Sequence, residues 1–422
     1  MQVYERELWT GNMSLAFEGC VPFAAPGRVW TTLTPSPVGR FSISFEGAVV
    51  GVPQLKTGAA RLQIAGTTYE HGVIVSRVES HTLYGQFNGP PPPPSGQALT
   101  VTFGVLNLDP RSLWLNEIVV EGWRFRLTSN PDVALRQRLR DELGVAETHA
   151  GILDRADGGS FDAEEAIRVL DGWRLAMSFG TGSRIGIWRQ VLSRPQDFVD
   201  DGWRAFASPS VDPWHDHHRI VDANDGFGIP EVVALVLVRR AADPDQAAID
   251  ELAMNFALEA NGTAPVEMRI AAAGAGLELI AWDRLVEDSG DDSVSKAVRK
   301  RRYAARSASD NLALLLATAS IDTEVPTILR SYASIHSEAD SGAVAVAALR
   351  NRVMHPRRRV GELSLPGEVW AAGWQLAVQY LELLILHRLG YCGRYSDRFR
   401  SEWVGRTFVV PWAPLASTES PN

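Results

Sequence analysis

The chain is poor in cysteine and lysine and has no long apolar run. Its 422 residues include two cysteines, Cys20 and Cys392, which stand far apart and match no metal-ligand spacing. That excludes a disulfide framework, and both read as reduced thiols of a cytoplasmic protein. The longest apolar stretches, 232–238 and 312–317, are far shorter than the roughly 20 residues that span a bilayer, so no membrane segment is expected. The opening MQVYERELW mixes charged and apolar residues and lacks a secretory pattern. No G-x4-G-K-[ST] occurs, nor a G-x-G-x-x-G following a strand, which disfavours a kinase or a dinucleotide-dependent oxidoreductase. The glycines at 274 and 276 lie inside a helical pattern and read as close packing. No repeat appears at solenoid periods.

What is present is the composition of a globular protein, 45% apolar and 22% charged, on a chain too long for one core. A net charge of −9 argues against a protein that coats nucleic acid. The charge is uneven, however: from 341 onward ten arginines face six acidic residues, leaving −13 for the rest. A basic end on an acidic chain permits an RNA site. The thirteen tryptophans are scattered and read as core.

The expected fold class is α+β and multidomain, a β-rich N-terminal region followed by an all-α helical bundle. Residues 1–130 alternate in short runs such as 41–52, 61–66, 71–79, 98–106 and 123–128, broken by Gly, Pro, Asn and Ser, as in a sandwich or barrel. Pro90 to Pro94 read as a stiff surface loop, with a docking site for a proline-recognition domain as the alternative. Residues 131–240 form a mixed α/β segment with amphipathic helices over 133–144 and 162–179 and a strand near 184–191. It carries His215, Asp216, His217 and His218, a run too tightly spaced to converge on one ion, so a polar loop is favoured over a zinc site. Residues 241–412 are helical, and 413–422 read as a disordered tail. In the first of these helices Ile249, Leu252, Ala253 and Phe256 share a predicted core face. In the last, Trp370, Trp374, Leu381, Leu384 and Ile385 do, and Gly390 stops it.

The chemistry concentrates in SGAVAVAALRNRVMHPRRR, 341–359. Small apolar residues build a helix that carries Arg350, Asn351 and His355 to its last turn, and Pro356 ends it. Arg357, Arg358 and Arg359 follow at once. Arginine followed by four to six residues and histidine is loose: roughly two matches are expected by chance, and there are two, the other being Arg330 with His336. Context separates them. Asn351 and His355, four apart, share a helix face, so the amide is placed to orient the imidazole.

ALRNRVMHP in a helical C-terminal domain resembles the HEPN ribonuclease superfamily, whose nuclease members carry Arg, a polar residue and, after further positions, His. The stretch YLELLILHRLGYCGRYSDR, with VPW at 410–412, is similar to the tail of ApeA-type anti-phage defence proteins. The resemblance implies a metal-independent endoribonuclease that uses no cofactor and works as a homodimer with two motifs facing one cleft. By position, Arg350, Asn351 and His355 would be catalytic. It also implies a defence role in which the N-terminal region senses a phage-derived trigger. Arg357, Arg358, Arg359, Lys300, Arg301 and Arg302 are candidate RNA contacts, and Glu278 a candidate for orienting the site. The alternative is a non-catalytic HEPN-type dimerisation or RNA-binding module.

Overall fold

In the computed structural model the described residues are 5–17, 22–32, 38–44, 58–64, 67–69, 73–79, 82–87, 94–109, 117–130, 132, 134–142, 144–193, 204–205, 211–214, 219–221, 228–287, 293–333, 341–354, 365–400 and 407–414. They form two compact units: Met1–Arg174 with Arg184–Asp216, and Leu175–Ser183 with His217–Asn422.

The first unit begins with seven antiparallel strands, β1 (Glu5–Phe17), β2 (Phe23–Thr32), β3 (Val38–Ser44), β4 (Gly58–Ile64), β5 (Thr67–Tyr69), β6 (Val73–Glu79) and β7 (Thr82–Phe87). Their order is β1-β2-β3-β7-β6-β4-β5, and β1 also pairs with β4, so six of them close on themselves. Alternation explains the closure. Met13, Leu15, Val29, Leu62, Ile64, Val75, Leu83 and Phe87 point inward and leave little or no surface. A closed sheet has no free edge to pair with other chains. The expected sandwich or barrel is thus a barrel.

A second sheet follows, from β8 (Gln97–Ala98) and β9 (Thr100–Leu106) through β10 (Glu117–Val120), β11 (Trp123–Ser129), β12 (Glu147–Arg155), β13 (Phe161–Asp162), β14 (Gly186–Ser193) and β15 (Arg204–Ala205). Six of these run in the order β10-β11-β12-β9-β14-β15, and β13 pairs separately with β8. The division expected at 130 therefore falls inside one sheet, since β11 pairs with β12 across it. Between them come α1 (Leu135–Glu142) and α2 (Ala163–Thr181). Trp173 of α2 is fully buried, stacked 5.6 Å from Phe125 and edge-on 5.7 Å from Phe103.

The second unit holds α3 (Gly228–Ala242), α4 (Pro244–Asn261), α5 (Val266–Trp282) with a π turn at Asp283–Glu287, α6 (Lys296–Ala305), α7 (Ala308–Thr318), α8 (Thr327–Ala333), α9 (Gly342–Met354) and α10 (Gly367–Leu389). A small hairpin, β16 (Arg394–Tyr395) and β17 (Phe408–Val409), completes it. Helix ends follow local chemistry. Asp243 caps the Gln246 N–H ahead of Pro244, Ser307 and Asp310 cap each other's backbone, and Gly390 closes α10 in the left-handed region at φ 76°. The helical part starts at 228, ahead of the expected 241.

The predicted face of α4 needs correction. Leu252 is 48% exposed, and the buried stripe runs through Ala247, Asp250, Ala253, Met254 and Ala257. Asp250 sets that rotation, because its carboxylate accepts from Arg388 Nε at 2.7 Å. Arg388 also donates to Asp283 at 2.6 Å and to Gln246 at 2.9 Å, all but sealed from solvent. A second buried pair, Arg398 with Glu382, ties α10 to the chain beyond it, and Asn261 bonds both partners. Among the described helices, α10 alone is long and apolar enough to cross a membrane, and 78% of its apolar window is buried within the protein. Its apolarity is used up by packing.

Candidate active site

Small residues bring α9 close to its neighbours. A side chain at Gly342 would meet Tyr380 Oη, and one at Gly373 of α10 would meet Leu349. Ala343, Ala345, Val346 and Leu349 are buried along the contact. This close approach carries Arg350 across α5 at Gly274, where a Cβ would stand 2.6 Å from Arg350 Cγ. The aliphatic stem thus lies on bare backbone. Glu278, one turn further along α5, then receives the guanidinium: Nη2 stands 2.8 Å from both carboxylate oxygens. Nη1 donates to Asn351 Oδ1 at 3.0 Å.

Glu278 is 44% exposed and the Arg350 side chain 20%. An ion pair so open to water is worth about 0–1 kcal/mol, so its consequence is geometric. It fixes where the fork of donors points. The pair stands at an open cleft between α5, α7 and α9, lined also by Tyr303, Asn311, Leu277 and Val346. Burial pushes the Tyr303 phenol above its ordinary value; Glu278 adds to that shift and Arg350 opposes it. Asn311 is buried, and its Nδ2 donates to the Tyr303 carbonyl at 3.1 Å.

Of the expected set, Arg350, Asn351 and Glu278 come together. His355 follows Met354, the last residue of α9, and lies outside the described residues with Arg357, Arg358 and Arg359. So do His215 to His218 and Pro90 to Pro93. No group of three or more His, Cys, Asp or Glu suited to a metal ion occurs among the described residues. Lys300, Arg301 and Arg302 are exposed on α6. Tyr391 and Tyr395, beyond the end of α10, are buried. Tyr303 and Asn311 carried no sequence signal, since neither belongs to a spaced motif. The glycines at 274 and 276 did signal close packing, against Arg350 and Leu381 respectively.

The fold is thus that of a β-rich unit joined to a helical unit with an arginine-centred cleft. Residues 244–410, from the start of α4 to the hairpin, match the family described as YopA C-terminal domain, and residues 112–217 match the YopA central domain. The chain is 24% identical over 276 residues to the SPbeta prophage-derived uncharacterized protein YopA of Bacillus subtilis (strain 168). That alignment covers 65% of this chain and 60% of the relative. No solved structure matches it.

Proposed function

We propose that this protein is a metal-independent endoribonuclease of HEPN type, acting through Arg350, Asn351 and His355 as a homodimer. The observation that carries the reading is the Arg350 fork, braced by Glu278 and Asn351 at an open cleft, with His355 one residue beyond α9 in the chain.

RNA supplies its own nucleophile, the 2′-hydroxyl, so cleavage requires neither a metal nor an activated water. One imidazole takes the 2′-hydroxyl proton as that oxygen bonds to phosphorus, and a second returns a proton to the departing 5′-oxygen. The products are a 2′,3′-cyclic phosphate and a 5′-hydroxyl end. Arginine donors meet the charge that builds on the phosphorane oxygens. One motif holds a single histidine, which is why the reading includes a second copy. A prophage-derived relative supports a role in the contest between phage and host, with the β-rich unit as the sensor of a phage-derived trigger.

The salt bridge itself favours a second reading, a non-catalytic RNA-binding or dimerisation module, since Glu278 neutralises Arg350. The test is cleavage of cellular RNA by the full chain in EDTA, beside Arg350→Ala and His355→Ala. Cyclic phosphate ends from the wild type alone support the nuclease. Identical behaviour of wild type and His355→Ala overturns it in favour of the module.

A further inference from the structure

Helix α6 buries none of its residues and carries five cations and no carboxylate. Such a helix has no apolar stripe to hold it on the fold. Two of its cations act as fasteners: Lys296 pairs with Glu287, and Arg299 donates to the carbonyls of Val286 at 2.9 Å and Val294 at 2.6 Å. Lys300, Arg301 and Arg302 are exposed and form no ion pair among the described residues. Beside them stands an aromatic pair. Lys300 Nζ lies 5.9 Å over the Trp282 ring, Trp282 meets Tyr303 edge-on at 5.3 Å, and Tyr303 lines the Arg350 cleft. Both rings are only partly buried. Exposed cations, two aromatic rings and the arginine fork therefore follow one another, linked by Lys300 over Trp282, Trp282 against Tyr303 and Tyr303 in the Arg350 cleft.

We propose that α6, Trp282 and Tyr303 form a guide that delivers single-stranded RNA to the Arg350 cleft. The proposal rests on the nuclease reading for the cleft and on the charge and ring arrangement for the guide. Cations alone would suit any polyanion. Aromatic rings interleaved with them favour a strand whose bases are free to stack, and a duplex hides its base faces. Phosphates meet Lys300, Arg301 and Arg302, while bases reach Trp282 and Tyr303 on the way to the cleft.

The guide is tested with the full chain and a short RNA whose 2′-oxygens are methylated, so that binding is read without cleavage. The single strand is expected to bind about tenfold tighter than the same strand in a duplex. Arg301→Glu with Arg302→Glu, both on the exposed helix, lowers affinity about tenfold or more and cuts the logarithmic salt slope by about one to two. Trp282→Leu removes the preference for single strands. Equal affinity for single strand and duplex, unchanged affinity in the double variant, or equal binding of heparin overturns the guide. The two readings fail separately. Cleavage by the wild type with undiminished binding by the double variant removes the guide alone. Binding that depends on α6, with equal cleavage by wild type and His355→Ala, removes the nuclease alone.

Discussion

Gly274 and Arg350 fit each other as surface and stem: a Cβ on the glycine would stand 2.6 Å from Arg350 Cγ, well inside van der Waals contact. The absence of a side chain on α5 is what lets the arginine cross that helix and reach Glu278 at 2.8 Å. Alanine is the better helix former by about 1 kcal/mol, so Gly274→Ala should leave the helical content intact. It should nevertheless push Arg350 off its brace and reduce RNA cleavage about tenfold or more. Circular dichroism and a cleavage assay on the same preparation check both halves; unchanged cleavage would show that the crossing has no functional weight.

Glu278 offers a graded version of the same experiment. Glu278→Ala removes the brace and is expected to lower cleavage about tenfold, with a thermal midpoint close to that of the wild type because the exposed pair adds about 0–1 kcal/mol. Glu278→Gln keeps an acceptor in place and should recover part of the activity. A residue that merely supported the fold would lose midpoint and activity together.

The Arg388 cluster behaves in the opposite way. Its side chain is 9% exposed, and those of Asp250 and Asp283 are 3% and 2%. Burial pushes the Asp250 carboxyl above its ordinary value, and Arg388 and Arg239 oppose that shift. Arg388→Met removes the principal partner of two buried carboxylates and should cost about 3–5 kcal/mol in urea unfolding of the helical unit. A loss below about 1 kcal/mol would mean that the cluster is wetter than its burial implies.

Acid should loosen the first unit through His149. This side chain is buried in β12, its Nδ1 lies 3.1 Å from Thr148 Oγ1, and its Nε2 has no hydrogen-bond partner among the described residues. Burial lowers its pKa from 6.5 to about 4, against a small opposing pull from Asp109. Between those two values the unfolded chain binds the proton and the folded chain does not. Stability is therefore complete above pH 6.5 and is lost as pH falls toward 4, by about 3 kcal/mol in all. Urea midpoints measured across that window should slope in the wild type and flatten in His149→Gln.

Much of this architecture was legible because periodicity reports burial directly. Alternation in 61–66 and 71–79 marked the barrel strands β4 and β6, and Trp370, Leu381, Leu384 and Ile385 of α10 are buried as their spacing predicts, with Trp374 partly so. What periodicity missed are the buried charges. A hydrophobicity pattern sends Asp250 outward and Leu252 inward, whereas Arg388, more than a hundred residues away, inverts that order. Long-range partners leave no mark on local spacing. The site divides along the same line. Arg350 and Asn351 were visible as neighbours in one motif, and Glu278 only as a carboxylate on a helix placed to approach it. Tyr303 and Asn311 flank the α6–α7 connection; the Ser307–Asp310 capping pair marks that turn in the sequence, but nothing local shows that its flanks reach Arg350.

The last turns of α2 have a consequence for how this protein is divided. Residues Leu175–Ser183 fold with the helical unit although they follow directly on the first, and the chain then returns to complete the second sheet through β14. Gly180 accepts from the Ile220 N–H at 3.2 Å, and its Cα approaches Ile229 of α3 closely enough that a Cβ would stand 3.2 Å from that side chain. No single cut of the chain can therefore release the helical unit whole. A fragment begun at 240 would lack most of α3 and the strip of α2 that completes the unit, and expressing the unit alone would need one new join, from Ser183 to His217. The chain crosses between the units three times, twice around the strip of α2 and once after Asp216, so neither is a continuous stretch of sequence.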